Sequence, residues 1–140
     1  MATLTVGLGG TYSTIQAAVD AAGNGDTIEI AAGTYREQVT VDGKNITIHG
    51  AGSDQTIIES PDAGSLVSNA SDLNSGRPTK YAVVTVKGDA DVTIAGVTVD
   101  GRDQASIPNP PTNYDFMAIY VLNSDAHITG VVAKGADEQE

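Results

Sequence analysis

The stretch Asn45-Ile46-Thr47-Ile48-His49-Gly50 decides how the chain folds, because it recurs. A second copy is Asp91-Val92-Thr93-Ile94-Ala95-Gly96, and a third is Asp125-Ala126-His127-Ile128-Thr129-Gly130. Each copy alternates polar and aliphatic residues with period two and closes on glycine, which reads as a short strand followed by a corner. Strands repeating in this way predict a parallel β-solenoid, in which each turn lays its strand on the one before. Ile48, Ile94 and Ile128 are then expected in one inward column with a step of about 4.8 Å, and Thr47 and Thr93 in an outward one. The interval between the first two copies reads as two turns of about 23 residues, and the next interval as one turn plus a loop of about 11.

Short β-rich runs fill the rest of the chain. They include Thr27–Ile30, Val39–Val41, Thr56–Ile58, Val83–Val86, Val97–Val99, Ala118–Val121 and Ile128–Val132. Gly, Asp and Asn separate them, and each is too short for a helix. An antiparallel sandwich also uses short strands. It needs hairpin turns, however, and only Asp42-Gly43 and Asp100-Gly101 supply the signal.

One segment has the helical period. In Ser13–Ala22, the residues Ile15, Ala18, Val19 and Ala22 fall on one face. Ser13 with Gln16 reads as a capping box and Gly23 as the stop. A solenoid's first turn exposes apolar surface and unpaired strand edges, and a small amphipathic helix can cover them. The expectation is an all-β, right-handed parallel β-helix with an N-terminal capping α-helix. Residues 1–25 form the terminal strand and cap, and residues 26–140 about four coils of a longer solenoid.

Composition agrees. The chain has 140 residues, 40% of them hydrophobic, but only 4% aromatic, so its core must be aliphatic. Seven Lys and Arg against 18 Asp and Glu give a net charge of −11, which disfavours nucleic acid as a partner. There is no cysteine, which excludes disulfides and thiolate chemistry. No run approaches the roughly 18 apolar residues of a membrane helix.

The motifs around these strands resemble a known family. Gly10-Thr11-Tyr12-Ser13-Thr14-Ile15-Gln16-Ala17-Ala18-Val19-Asp20-Ala21-Ala22 is similar to the opening of pectin methylesterases and related right-handed parallel β-helix proteins. Ala32-Gly33-Thr34-Tyr35-Arg36-Glu37-Gln38-Val39 resembles their next signature, and Asn45–Gly52 with Thr56–Ile58 the third. The likeness is close over about residues 10–60. It implies the β-helix fold and the secreted, bacterial-type or cell-surface proteins that bind or process polysaccharides. A structural or adhesive solenoid without chemistry is the other expectation. The esterase pattern further implies a glutamine near an Ala-Val-Ala-Leu strand, a Gln-Asp pair, a second Asp and an Arg. The matching strand here, Phe116–Val121, holds no glutamine, and the first Asp would fall near Ala136-Asp137-Glu138. The resemblance therefore implies a catalytically incomplete chain.

Two long excursions, Ser60–Lys80 and Arg102–Asp115, carry the candidate binding residues. Arg77, Arg102, Asn113 and Tyr114 offer cations, an amide and a ring for a sugar, if both loops leave one corner and wall a groove. Asp100, Asp103 and Asp115 bracket the second loop. They are the candidate Ca²⁺ ligands, since Ca²⁺ collects six to eight oxygens. His49 and His127 fall in different registers and read as structural or solvated. Arg36 and Glu37 are expected to pair with each other. An uncovered coil end would template self-association, so a homo-oligomer is expected.

Overall fold

A computed structural model describes residues 1–62, 65–68, 70–71, 79–102 and 114–135. The elements in chain order are β1 (Thr3–Val6), α1 (Ile15–Ala21), β2 (Thr27–Ile30), β3 (Gly33–Arg36), β4 (Val39–Asp42) and β5 (Asn45–Gly50). They continue with β6 (Thr56–Glu59), β7 (Ala70–Ser71), β8 (Thr79–Lys87), β9 (Asp91–Ala95) and β10 (Thr98–Asp100). The last three are β11 (Tyr114–Leu122), β12 (Asp125–Thr129) and β13 (Val132–Lys134).

The strands form three sheets. Sheet A has the order β1-β2-β5-β9-β12, sheet B β13-β10-β6-β3, and sheet C β11-β8-β4. The chain visits A, B and C in turn, and every pairing along these paths is parallel. Among the described residues only the short β7 lies antiparallel, on β8. That pattern is a β-helix and excludes the sandwich.

The repeat holds residue by residue. Ile28, Ile48, Ile94 and Ile128 are successive Cα partners, as are Thr27, Thr47, Thr93 and His127. Ile28, Ile48 and Ile94 are buried, whereas Ile128, on the last rung of sheet A, is 45% exposed. Around them pack Val39, Val41, Val84, Val86, Val92 and Val99, and Ile58 (1%), an aliphatic core as the composition required.

The turn lengths correct one expectation. Thr27, Thr47, Thr93 and His127 each sit one turn beyond the last, so the interval between the first two sequence copies is one turn and not two. The turns differ in length, and the surplus is localised. The passage from sheet C to the next strand of sheet A hardly varies: Val39 leads to Thr47, Val84 to Thr93 and Ile119 to His127. From sheet B to sheet C, the first passage is short, from Thr34 to Val39. The next two are long, from Ile57 to Val84 and from Thr98 to Ile119. Both excursions thus leave the B–C corner. A second correction concerns Ile128–Val132, which is two strands broken at Gly130, where φ is +57°.

Helix α1 buries Ile15, Ala18 and Val19 against the first coil. Its N-cap is Thr14, whose hydroxyl accepts from Ala17 N at 3.2 Å, and not Ser13. Gln16 closes no capping box. Its amide instead bonds the backbone of Thr40 in both directions, at 2.7 and 3.1 Å. The carboxylate of Glu37 supplies what the box lacks, accepting from Ile15 N at 3.0 Å and Gln16 N at 2.8 Å. Glu37 therefore does not pair with Arg36.

Candidate functional site

The B–C corner carries most of the described ion pairs. Arg36, Glu59, Asp100 and Lys134 end four neighbouring strands and are Cα partners in that order. Arg36 Nε lies 2.8 Å from Glu59 Oε1, and this hydrogen bond raises the guanidinium's hold on its proton. Lys134 Nζ lies 3.9 Å from Asp100 Oδ2.

Arg102 follows in a left-handed turn (φ +58°), its backbone N–H bonded to Asp100 Oδ1 at 2.8 Å. Its guanidinium donates to Ser60 O at 3.0 Å and to Asp62 Oδ1 at 3.2 Å. The side chain thus ties the root of the second excursion to the root of the first. Asp100 accepts from the Arg102 backbone N–H and stands beside Lys134 Nζ. Among the described residues no three metal-ligating side chains gather.

The first excursion returns along sheet C. Gln38 holds it through Val67, donating to Val67 O at 2.9 Å and accepting from Val67 N at 2.9 Å. The same amide donates to Ala82 O at 3.0 Å. Ser68 Oγ donates to Lys80 O at 3.1 Å, and Leu66 joins the core. On sheet C itself, Phe116 and Tyr81 are buried partners, and Lys80 Nζ stands 6.0 Å from the centroid of the Tyr120 ring.

Of the residues proposed from sequence, Arg77, Asn113 and Asp103 lie outside the described residues. Tyr114 and Asp115 belong to β11 and not to a loop, opposite Thr79 and Lys80.

A second feature was not visible in the sequence. Glu29 and His49 are Cα partners on β2 and β5, and His49 Nδ1 lies 2.9 Å from Glu29 Oε2. They line a cleft of about 550 Å³ at the A–B corner. No local motif links the two residues; only a known turn length brings them together. His127 meets Asp91 separately, at 3.6 Å. A third opening, at the C–A corner, has Asn45, Asp91 and Asp125 in its lining. There Asn24 Oδ1 accepts from Asn45 N and Asn45 Oδ1 from Asp91 N, which stitches successive turns together.

Three parallel sheets wound by one chain, with a helix over the first turn, define a single-chain parallel β-helix whose loops concentrate at one corner. Known proteins share this design. Pectinesterase A of Emericella nidulans is 42% identical over 102 residues, which cover 61% of this chain and 31% of that protein. Probable pectinesterase A of Aspergillus niger is 43% identical over 82 residues, covering 48% and 25%. Among solved structures, pectin methylesterase PemA from Erwinia chrysanthemi superposes with a TM-score of 0.62 at 20% identity, over 91% of this chain and 42% of that one. Pectin methylesterase from carrot gives 0.60 at 27% identity, over 90% and 37%. No protein-family profile matches the chain. The chain has the right-handed parallel β-helix fold of the pectin methylesterases and is similar in sequence to fungal pectinesterases, and it spans about a quarter to a third of the curated relatives it matches.

Proposed function

We propose that the chain is the N-terminal part of an extracellular polysaccharide-binding or polysaccharide-processing β-helix protein, with residues 1–25 closing the solenoid and residues 26–140 building its first coils. One observation carries the reading. Both long excursions leave the B–C corner on neighbouring turns, and Arg102 ties their roots together beside sheet C. Roots fixed on neighbouring turns of a rigid scaffold lie in a row along the solenoid axis, and binding residues carried from them suit a linear polymer. The curated relatives are pectinesterases, so a pectic chain is the substrate class. Strand β11 holds no glutamine, and de-esterification by this chain alone is not part of the reading.

The test is binding to immobilised pectin and polygalacturonate, with and without Ca²⁺, beside an assay for methanol release. Retention on a pectic matrix, lost on replacing Arg102 and Tyr120 with alanine in folded protein, supports the reading. No retention on either matrix defeats it. The Ca²⁺ arm tests Asp100, Asp103 and Asp115, because ligation there makes retention depend on the ion.

The exposure of Ile128, Val132 and Val121 on the last rungs favours a second reading, a solenoid module that self-associates end to end. Sedimentation decides it. A monomer throughout the micromolar range removes it, and Ile128→Lys lowers the association otherwise seen.

A further inference from the structure

The cleft at the A–B corner lies away from the corner that carries the excursions. It crosses three strands and a turn, with Thr5, Glu29, His49 and Gly96 contributed in order by β1, β2, β5 and the turn after β9. Its volume of about 550 Å³ is that of a small-molecule site, for which about 300–1,000 Å³ is usual.

The fold keeps its floor bare. A Cβ on Gly50 would overlap Gly96 O and lie 2.5 Å from the Val97 side chain, so the stacking of the corner forbids any side chain there. Gly9, Gly10, Gly52 and Gly96 also line the cleft, so a ligand there meets backbone along much of the wall. Leu8, fully exposed on a glycine-flanked loop, adds an apolar surface.

Charge narrows the occupant. The lining holds one carboxylate, Glu29, and no lysine or arginine. An uronate or a phosphate meets repulsion without a counter-charge, and a metal ion finds too few ligands in one carboxylate and one imidazole. A neutral sugar suits all three features. Its hydroxyls both donate and accept, which matches a carboxylate held against an imidazole, and its C–H face suits Leu8 and bare backbone.

We infer that this cleft binds a short stretch of neutral hexopyranose chain. The site is separate from the pectic surface proposed beside sheet C and does not depend on it.

Amide chemical-shift mapping on the whole chain tests the inference, using cellotetraose, galactotetraose and mannotetraose against trigalacturonate. The expected result is that at least one neutral tetrasaccharide shifts Gly9, Glu29, Ala31, His49 and Gly52, and that trigalacturonate leaves them unmoved. Glu29→Gln and His49→Ala each weaken that binding by about tenfold, the loss of one hydrogen bond to a charged or paired group. Leu8→Ala, at a fully exposed position, keeps the fold and also weakens binding. Lys134→Ala, at the B–C corner, leaves the affinity unchanged. The inference falls if none of the three neutral sugars moves those amides, if the three cleft variants bind as the parent does, or if trigalacturonate moves the same amides equally. Shifts confined to sheet C report on the other surface and leave this cleft without a ligand, which also overturns the inference.

Discussion

Glu37 caps the first turn of helix α1 at Gln16. Its Oε1 accepts the Gln16 backbone N–H at 2.8 Å, across 21 residues of chain. A side chain from the turn after β3 thus does for α1 what a local capping box does elsewhere, and it joins the cap to the first coil. Glu37→Ala leaves two helix N–H groups without that partner. The expected cost is about 1–2 kcal/mol, read from the midpoint of urea unfolding. An unchanged midpoint would mean that solvent replaces the carboxylate at no loss.

Gly50 and Gly130 stand at the same corner on different turns, yet substitution affects them differently. At Gly50 an alanine methyl collides with Gly96 O, and the expected cost is about 3 kcal/mol. At Gly130 the nearest atom is Gly96 N at 3.8 Å, so Gly130→Ala bears only the left-handed backbone, about 1 kcal/mol. Thermal unfolding of the two variants side by side checks the order, and equal losses would contradict it.

Thr85 is fully buried in sheet C between Thr40 and Tyr120, and its Oγ1 finds no partner among the described residues. An unsatisfied buried hydroxyl carries a desolvation cost, and valine has nearly the same shape without it. Thr85→Val is expected to raise stability by about 1 kcal/mol in urea unfolding. A loss of similar size would show that the hydroxyl is bonded after all.

Asp26 accepts from Ala2 N at 2.7 Å and Gly23 N at 2.8 Å, and those bonds, the one from Ala2 first, hold its pKa below the ordinary carboxylate range. A carboxylate with a lowered folded pKa adds stability above its unfolded pKa, and that stability is lost as pH falls through the folded value. Asp26→Ala is therefore expected to unfold more easily than the parent at neutral pH, with the gap closing in acid below the usual Asp range. Melting temperatures recorded across pH check this, and a gap that does not vary with pH would rule it out.

Much of the fold was legible because a solenoid writes its geometry as repetition. Asn45, Asp91 and Asp125 begin matching stretches, and they are Cα partners. The period was misread because insertions hide it. The turn from Thr27 to Thr47 carries no long loop, but Thr27–Ile30 shares too little with Asn45–Gly50 to show as a copy. The site was harder to read because its pairings are long-range. Arg102 meets Asp62 and His49 meets Glu29, each from the turn before, at a separation set by turn length and not by any motif. The cap was assigned to Ser13 and Gln16 on local grammar, and a tertiary contact from Glu37 took the role instead.

The unequal passages from sheet B to sheet C, short after Thr34 and long after Ile57 and Thr98, leave the register of all three sheets untouched. Length at this corner is thus uncoupled from the scaffold, as beads may be hung from one edge of a staircase without moving a step. Foreign segments grafted between β10 and β11 should be accommodated, whereas the C–A corner, whose passages differ by one residue at most, leaves no room for a segment of that length without parting the rungs.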